Sequence, residues 1–179
     1  MGLDVLLDKY GFKQHRQFDP ELIVIDPTVR AMCKQNTCGQ YLKNHMCPPA
    51  IKDIEAWKKE IDEFKDGIIV TKVYGIKGSF DLKAMLNGMA DFQKTLLRLK
   101  EGVLAQSPQK KILLLGAGAC RFCEKCSYQD GEPCRFPDKA FPSLEACGID
   151  VMSLSREVGV NYHNGKNTVT YIGVVLTNS

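Results

Sequence analysis

No stretch of this chain stays apolar long enough to cross a bilayer, so no membrane-spanning helix is expected. The opening MGLDVLLDKYGF lacks the basic n-region and long apolar h-region of a secretion signal. Gly2 would suit myristoylation, but Leu6 stands where that motif needs Ser or Thr. Surplus charge is missing too: a net +3 gives no electrostatic case for nucleic acid. There is no internal repeat, low-complexity tract or linker, and no evident catalytic acid–base pair. These absences lead us to expect a cytoplasmic protein with one domain over residues 1–179, long enough to bury a real core.

Cysteine, by contrast, is plentiful. Eight thiols in a cytoplasmic chain of this size are expected to bind metal or do redox chemistry rather than form bridges, because that compartment keeps thiols reduced. Four of them, Cys120, Cys123, Cys126 and Cys134, fall within the stretch LLLGAGACRFCEKCSYQDGEPCRFP. Three cysteines two residues apart wrap naturally around one four-iron cluster, since each two-residue step turns the backbone past a corner of the cube. Zinc sites favour two separated C-x2-C knuckles, so zinc is the alternative here and iron–sulfur the preferred reading. Arg121, Lys125 and Arg135 bring positive charge to what would be an anionic centre. The GAG at 116–118 leaves a strand as dinucleotide loops do, but Cys120 and Arg121 stand where such a turn should enter a helix. Tight backbone turning explains these glycines better than a nucleotide site.

A second group, Cys33, Cys38 and Cys47, lies in AMCKQNTCGQYLKNHMCPP. Its spacings of four and eight are weak evidence alone, but beside a cluster loop they suggest a second metal centre. The proline after Cys47 is familiar from ferredoxin-like loops. Three thiolates would leave a fourth position for Cys147, for His45, or for solvent or substrate. Cys147, in SLEACG, is expected to pack against the sheet instead. His15 and His163 stand without such company.

Periodicity places these segments on a frame. ELIVID (21–26) is expected to be a strand, and Pro48 and Pro49 to open a helix carrying Ile51, Ile54, Trp57, Ile61 and Phe64, with Trp57 in the core. GIIVTKVYG (67–75), KILLL (111–115) and TVTYIGVVL (168–176) read as strands. A long helix capped by Ser79 or Asp81 carries the stripe Leu82, Met85, Met89, Phe92, Leu96, Leu99 and Val103. Asp150 caps a shorter helix closed by Gly159, and Asn164-Gly165 suggests a hairpin turn. The expected fold is an α/β (α+β) sandwich with a mixed sheet of four or five strands, helices and two cysteine-rich loops.

Taken together, C-x4-C with Tyr41 and CPP, then C-x2-C-x2-C with PCRFP, then PSLEACGIDV and the final TYIGVVL resemble one family from about residue 30 to the C-terminus. It is the family of predicted metal-binding proteins catalogued as domain of unknown function 2284. The resemblance implies metal binding, of the iron–sulfur kind, in prokaryotes that are often anaerobic, and it implies no particular reaction. The residues themselves favour an electron-transfer or redox accessory protein holding one 4Fe-4S cluster or two, with a redox partner protein. An enzyme using an open iron of the second group for sulfur transfer or Lewis-acid chemistry on a small-molecule substrate is the alternative, with Arg121 or Arg135 holding an anionic substrate. A structural zinc protein or sensor is the third reading. Neither nucleic acid nor membrane is expected as a partner.

Overall fold

The computed structural model describes residues 3–178. Its centre is a four-stranded sheet in the order β1-β2-β4-β3, built from β1 (Gln14–Phe18), β2 (Asp66–Gly75), β3 (Ile112–Leu115) and β4 (Thr168–Thr177). The three strand pairings are all antiparallel, and an isolated parallel bridge joins Gly116 to Ser143. The fold is therefore α+β, with an antiparallel sheet at the low end of the expected strand number. The two long central strands pair over ten residues, from Asp66 opposite Thr177 to Gly75 opposite Thr168.

Both faces of this sheet are covered, which is why its central strands are nearly continuous apolar runs. Ile68, Val70, Leu114, Tyr171 and Val175 point to one side, where α1 (Leu3–Lys9) and α4 (Leu82–Gln106) supply Leu6, Leu7, Phe92, Leu96 and Leu99. Ile69, Leu115, Ile172, Val174 and Leu176 point to the other. There they meet Trp57 and Ile61 of α3 (Ile54–Ile61), Leu154 of α5 (Val151–Val158), and Leu144, Cys147 and Ile149. Each fully buried Leu or Phe of this kind contributes about 1.5–3 kcal/mol. Trp57 is buried in the core as its helical stripe requires.

The helix caps follow the sequence signals. Asp81 accepts from Ala84 N, and Asp150 accepts from the amides of Met152 and Ser153, while Gly159 ends α5 in the left-handed conformation. Among the described residues no helix is long and apolar enough to cross a membrane.

Three local expectations are corrected. ELIVID is not a strand: Pro20–Leu22 forms a 3₁₀ turn and Ile25 makes one isolated bridge to Ile149. Leu22 and Val24 are exposed while Ile23 and Ile25 pack on the core, so the apolar run dissolves into single anchors. Pro48 and Pro49 stand in a turn, and α3 begins only at Ile54, where the Asp53 side chain accepts from Ala56 N. Asn164-Gly165 leads from α5 into β4 and so joins no pair of strands. One strand went unforeseen: β1, QHRQF, lies on the sheet edge and carries polar residues without a clear alternation.

Candidate metal centres

The C-terminal cysteine loop leaves the end of β3 and returns to the same point. Gly116 N donates to Pro142 O at 3.0 Å and Leu144 N to Gly116 O at 3.1 Å, which closes the loop at its base. The glycines at this base are there for close approach. A Cβ on Gly116 would meet the Phe141 ring at 2.6 Å, and one on Gly118, where φ is +67°, would meet Met89 Cε at 2.6 Å. Gln93, buried on α4, then ties the strand exit to the first cysteine. Its amide donates to Ala117 O at 3.2 Å and to Ala119 O at 2.9 Å, and its oxygen accepts from Arg121 N at 3.0 Å.

The far side of the loop folds back through local turns. A 3₁₀ turn over Ser127–Asp130 ends at Gly131 in the left-handed region. Ser127 Oγ donates to Pro133 O at 2.7 Å and Glu132 N to Ser127 O at 3.1 Å, which returns the chain toward Cys134. Arg135 Nη1 donates to Lys125 O at 2.9 Å. As a result Cys120, Cys123, Cys126 and Cys134 all line one cavity of about 80 Å³. The wide sequence gap before Cys134 is closed by backbone and serine hydrogen bonds.

The upstream segment is organised differently. It follows α2 (Pro27–Ala31), which is capped by Asp26, and a 3₁₀ turn over Met32–Gln35 that carries Cys33. Asn36 turns the chain in the left-handed region, and its side chain accepts from Tyr41 N at 3.0 Å. Arg30 reaches the carbonyls of Ile51 and Lys52, pinning the ends of the segment together. Cys33, Cys38 and Cys47 line a second cavity of about 250 Å³, walled also by Gly118 and Ala119 of the first loop. All eight cysteines are free thiols.

The two regions touch directly. Asn44 Nδ2 donates to Cys120 O at 3.0 Å, and the His45 amide donates to the Cys126 sulfur at 3.5 Å. The His45 ring sits 2.9 Å from Glu132 O and edge-on to Tyr128, so it belongs to the wall of the first cavity. His45 therefore does not line the second cavity, and neither does Cys147, which is fully buried in the core. Glu145 does line it: this half-buried carboxylate in the 3₁₀ turn Glu145–Cys147 escaped the sequence reading. No local signal separates it from other surface glutamates, and only the PSLEACG turn brings it there. Of the loop cations, Arg121 lines the first cavity, Arg135 turns to Lys125 O and Asp130, and Lys125 pairs with Asp130.

Burial governs the thiols. It pushes Cys120 up to about 11 and Cys47 up to about 12, and neighbouring thiols add to both shifts. Cys33 and the core Cys147 are also raised by burial, as is the Glu145 carboxyl. Metal ligands must be deprotonated, so a cation in either cavity would offset the burial cost of ionising the thiols that line it.

The donor set can be tested against an iron–sulfur centre. No group of three or more Cys, His, Asp or Glu among the described residues is gathered closely enough to hold one bare metal ion. Thiolates around a four-iron cube stand farther apart than those around a single ion, so cavity-lining thiols suit the larger group. Two backbone amides, Phe122 N and His45 N, already point at the Cys120 and Cys126 sulfurs, as donors to cluster thiolates do. Arg121 Nε is buried without a hydrogen-bond partner beside the same cavity, where an anion would satisfy it. The residues fit the group.

Comparison with known proteins agrees on the family. The family described as "Predicted metal-binding protein (DUF2284)" matches residues 16–177, and the chain belongs to it. No curated protein sequence matches the chain. Among solved structures, epoxyqueuosine reductase from Streptococcus thermophilus is similar in fold, with a TM-score of 0.50 and 10% identity over 99% of this chain. A selenomethionine-labelled epoxyqueuosine reductase aligns with a TM-score of 0.47 and 10% identity over 98% of this chain. The chain spans less than half of either, 45% and 44% of their lengths.

Proposed function

From membership in a predicted metal-binding family, we propose that this chain is an iron–sulfur protein acting in electron transfer or as a redox accessory. Cys120, Cys123, Cys126 and Cys134 hold one 4Fe-4S cluster, and Cys33, Cys38 and Cys47 hold a second centre beside it. One observation carries the reading: the four thiols of the C-terminal loop line one small cavity, and a second cavity lined by three upstream thiols takes Gly118 and Ala119 of the same loop into its wall. When bound, such clusters supply one-electron transfer. The chain's own residues then set the conditions. Amides of His45 and Phe122 donate to the thiolate sulfurs, which stabilises the more negative, reduced state. Arg121 adds a half-buried positive charge at the same cavity, with the same sign of effect. Asn44 couples the two cysteine regions through Cys120 O, holding the centres at a fixed separation. A redox partner protein would deliver or collect the electron. That an enzyme named as a reductase shares the fold adds a redox precedent for this framework.

A second reading rests on the size of the upstream cavity, about 250 Å³ against about 80 Å³. That space suits a small-molecule substrate arriving at an iron, which would make the protein an enzyme of sulfur transfer or Lewis-acid chemistry. Anaerobic purification followed by iron, sulfide and zinc analysis tests both. Iron and sulfide in comparable amounts support the cluster, whereas zinc alone in the absence of air removes it. An electron spin resonance signal that changes with a small molecule separates enzyme from carrier.

A further inference from the structure

The upstream cavity contains more acid than its three thiols. Its wall carries Cys33, Cys38, Cys47 and the carboxylate of Glu145, and no Lys, Arg or His among the described residues lines it. Glu145 forms no ion pair with any described residue, although Arg30 lies near enough to act on Cys33. Arg30 is committed elsewhere, to the carbonyls of Ile51 and Lys52. Four groups that ionise to anions thus face one space of about 250 Å³ without a cation on its walls. Such an arrangement disfavours ionisation of these groups until a cation enters to offset their charge.

Glu145 is also held firmly. It opens the 3₁₀ turn Glu145–Cys147, which Gly148 closes in the left-handed conformation. Ser143 Oγ accepts from Ala146 N at 3.1 Å, Cys147 is locked in the core, and Gly148 O accepts from Asp26 N at 2.7 Å. The last bond joins this turn to the start of the segment that carries Cys33. The backbone turns that carry the carboxylate and the first thiol are therefore tied to one another.

We propose that Glu145 is the fourth protein ligand of the centre held by Cys33, Cys38 and Cys47. This rests on that centre as proposed above. The chemical consequence is a mixed ligand set, three soft thiolates and one hard carboxylate oxygen. The iron bound by Glu145 exchanges its ligand more readily than the other three, because oxygen is the poorer match for iron in a sulfide cluster. It is the position at which a thiol or another small soft ligand enters.

The test uses the full chain, reconstituted anaerobically with ferrous iron and sulfide, with the Cys120–Cys134 cluster as internal standard. Glu145→Gln keeps the shape and removes the charge. It is expected to lose about one iron per chain and to show the spin resonance signal of a three-iron cluster. Glu145→Cys is expected to restore the full iron content. Mercaptoethanol should change the wild-type signal by displacing the carboxylate and leave that of Glu145→Cys unchanged. Wild-type iron content and signal in Glu145→Gln would overturn the assignment, as would a Glu145→Cys signal that shifts with mercaptoethanol as the wild-type signal does. The second comparison still decides the matter if Glu145→Gln does not fold. Cys38→Ser distinguishes the two levels: if it too leaves iron and signal untouched, the upstream centre itself is refuted. If it loses metal while both Glu145 variants behave as wild type, only the role of Glu145 is refuted.

Discussion

The loop from Gly116 to Ala140 keeps its four thiols around one cavity by its own turns and by Gln93, whereas the segment from Met32 to Pro49 depends on what surrounds it. In the loop, Ser127, Gly131 and Arg135 bend the chain back on itself, and the base is closed where β3 ends. In the segment, Cys33 rides on one turn, Cys38 is exposed, and Cys47 is buried against the other loop. Its cavity takes part of its wall from Gly118 and Ala119 and its carboxylate from Glu145. A compact motif can be self-supporting because short spacings leave few backbone dihedrals undetermined. A dispersed one is completed by its neighbours.

The comparison breaks first at Cys123. Replacing Cys123 by Ser should remove about four irons per chain, with inorganic sulfide falling in parallel. Elemental analysis and a sulfide assay check this, and unchanged values would show that the loop does not bind a cluster. Cys38→Ser should have a smaller and more selective effect: the upstream metal is lost, the loop's cluster stays, and limited proteolysis begins to cut within residues 31–49. Full metal content with full protease resistance would make these three thiols merely structural.

A third variant asks how self-sufficient the loop is. Gln93→Ala leaves Ala117 O, Ala119 O and Arg121 N without their partner, at a cost of about 1–3 kcal/mol. Thermal melting of the metal-free protein should register that loss, together with faster release of iron from the loop than from the segment. Equal release rates would mean that the loop is not anchored through α4.

The smallest effect is on pH. Burial raises Cys120 from 9.0 to about 11 and Cys47 from 9.0 to about 12 in the metal-free fold. A folded pKa above the unfolded one gives stability that is complete below the unfolded value and lost as pH rises through the folded one. The melting temperature of metal-free protein should thus fall as pH climbs from 9.0 toward 11, and the Cys47 contribution should continue toward 12. Cys47→Ala should flatten the upper part of that fall. A melting temperature independent of pH in this window would contradict the burial of both thiols.

How much of this could be read beforehand varies from residue to residue. The stripe of α4, the caps Asp81 and Asp150, and the apolar strands β2, β3 and β4 were legible, because periodicity and capping are local. The edge strand β1 was not: its polar QHRQF is held by pairing with β2 from Gln14–Thr71 to Phe18–Gly67, which no local pattern announces. ELIVID misled for the opposite reason, since Ile23 and Ile25 anchor singly to the core while Leu22 and Val24 face outward.

The sequence by itself determined that Cys120, Cys123 and Cys126 of the C-terminal loop stay close together, since two-residue spacings put three thiols within reach of one another whatever the rest of the chain does. It also determined which helices and central strands form, through the period of their apolar residues. Tertiary structure alone decided that the upstream thiols share a wall with that loop, that His45 turns to the first cavity, that Cys147 is core, and that Glu145 lines the cavity of the upstream thiols. Those placements depend on contacts between segments far apart in the chain, such as Asn44 to Cys120 and Asp26 to Gly148. Each is fixed by packing against the two faces of the sheet, and the spacing of residues along the chain carries no record of it.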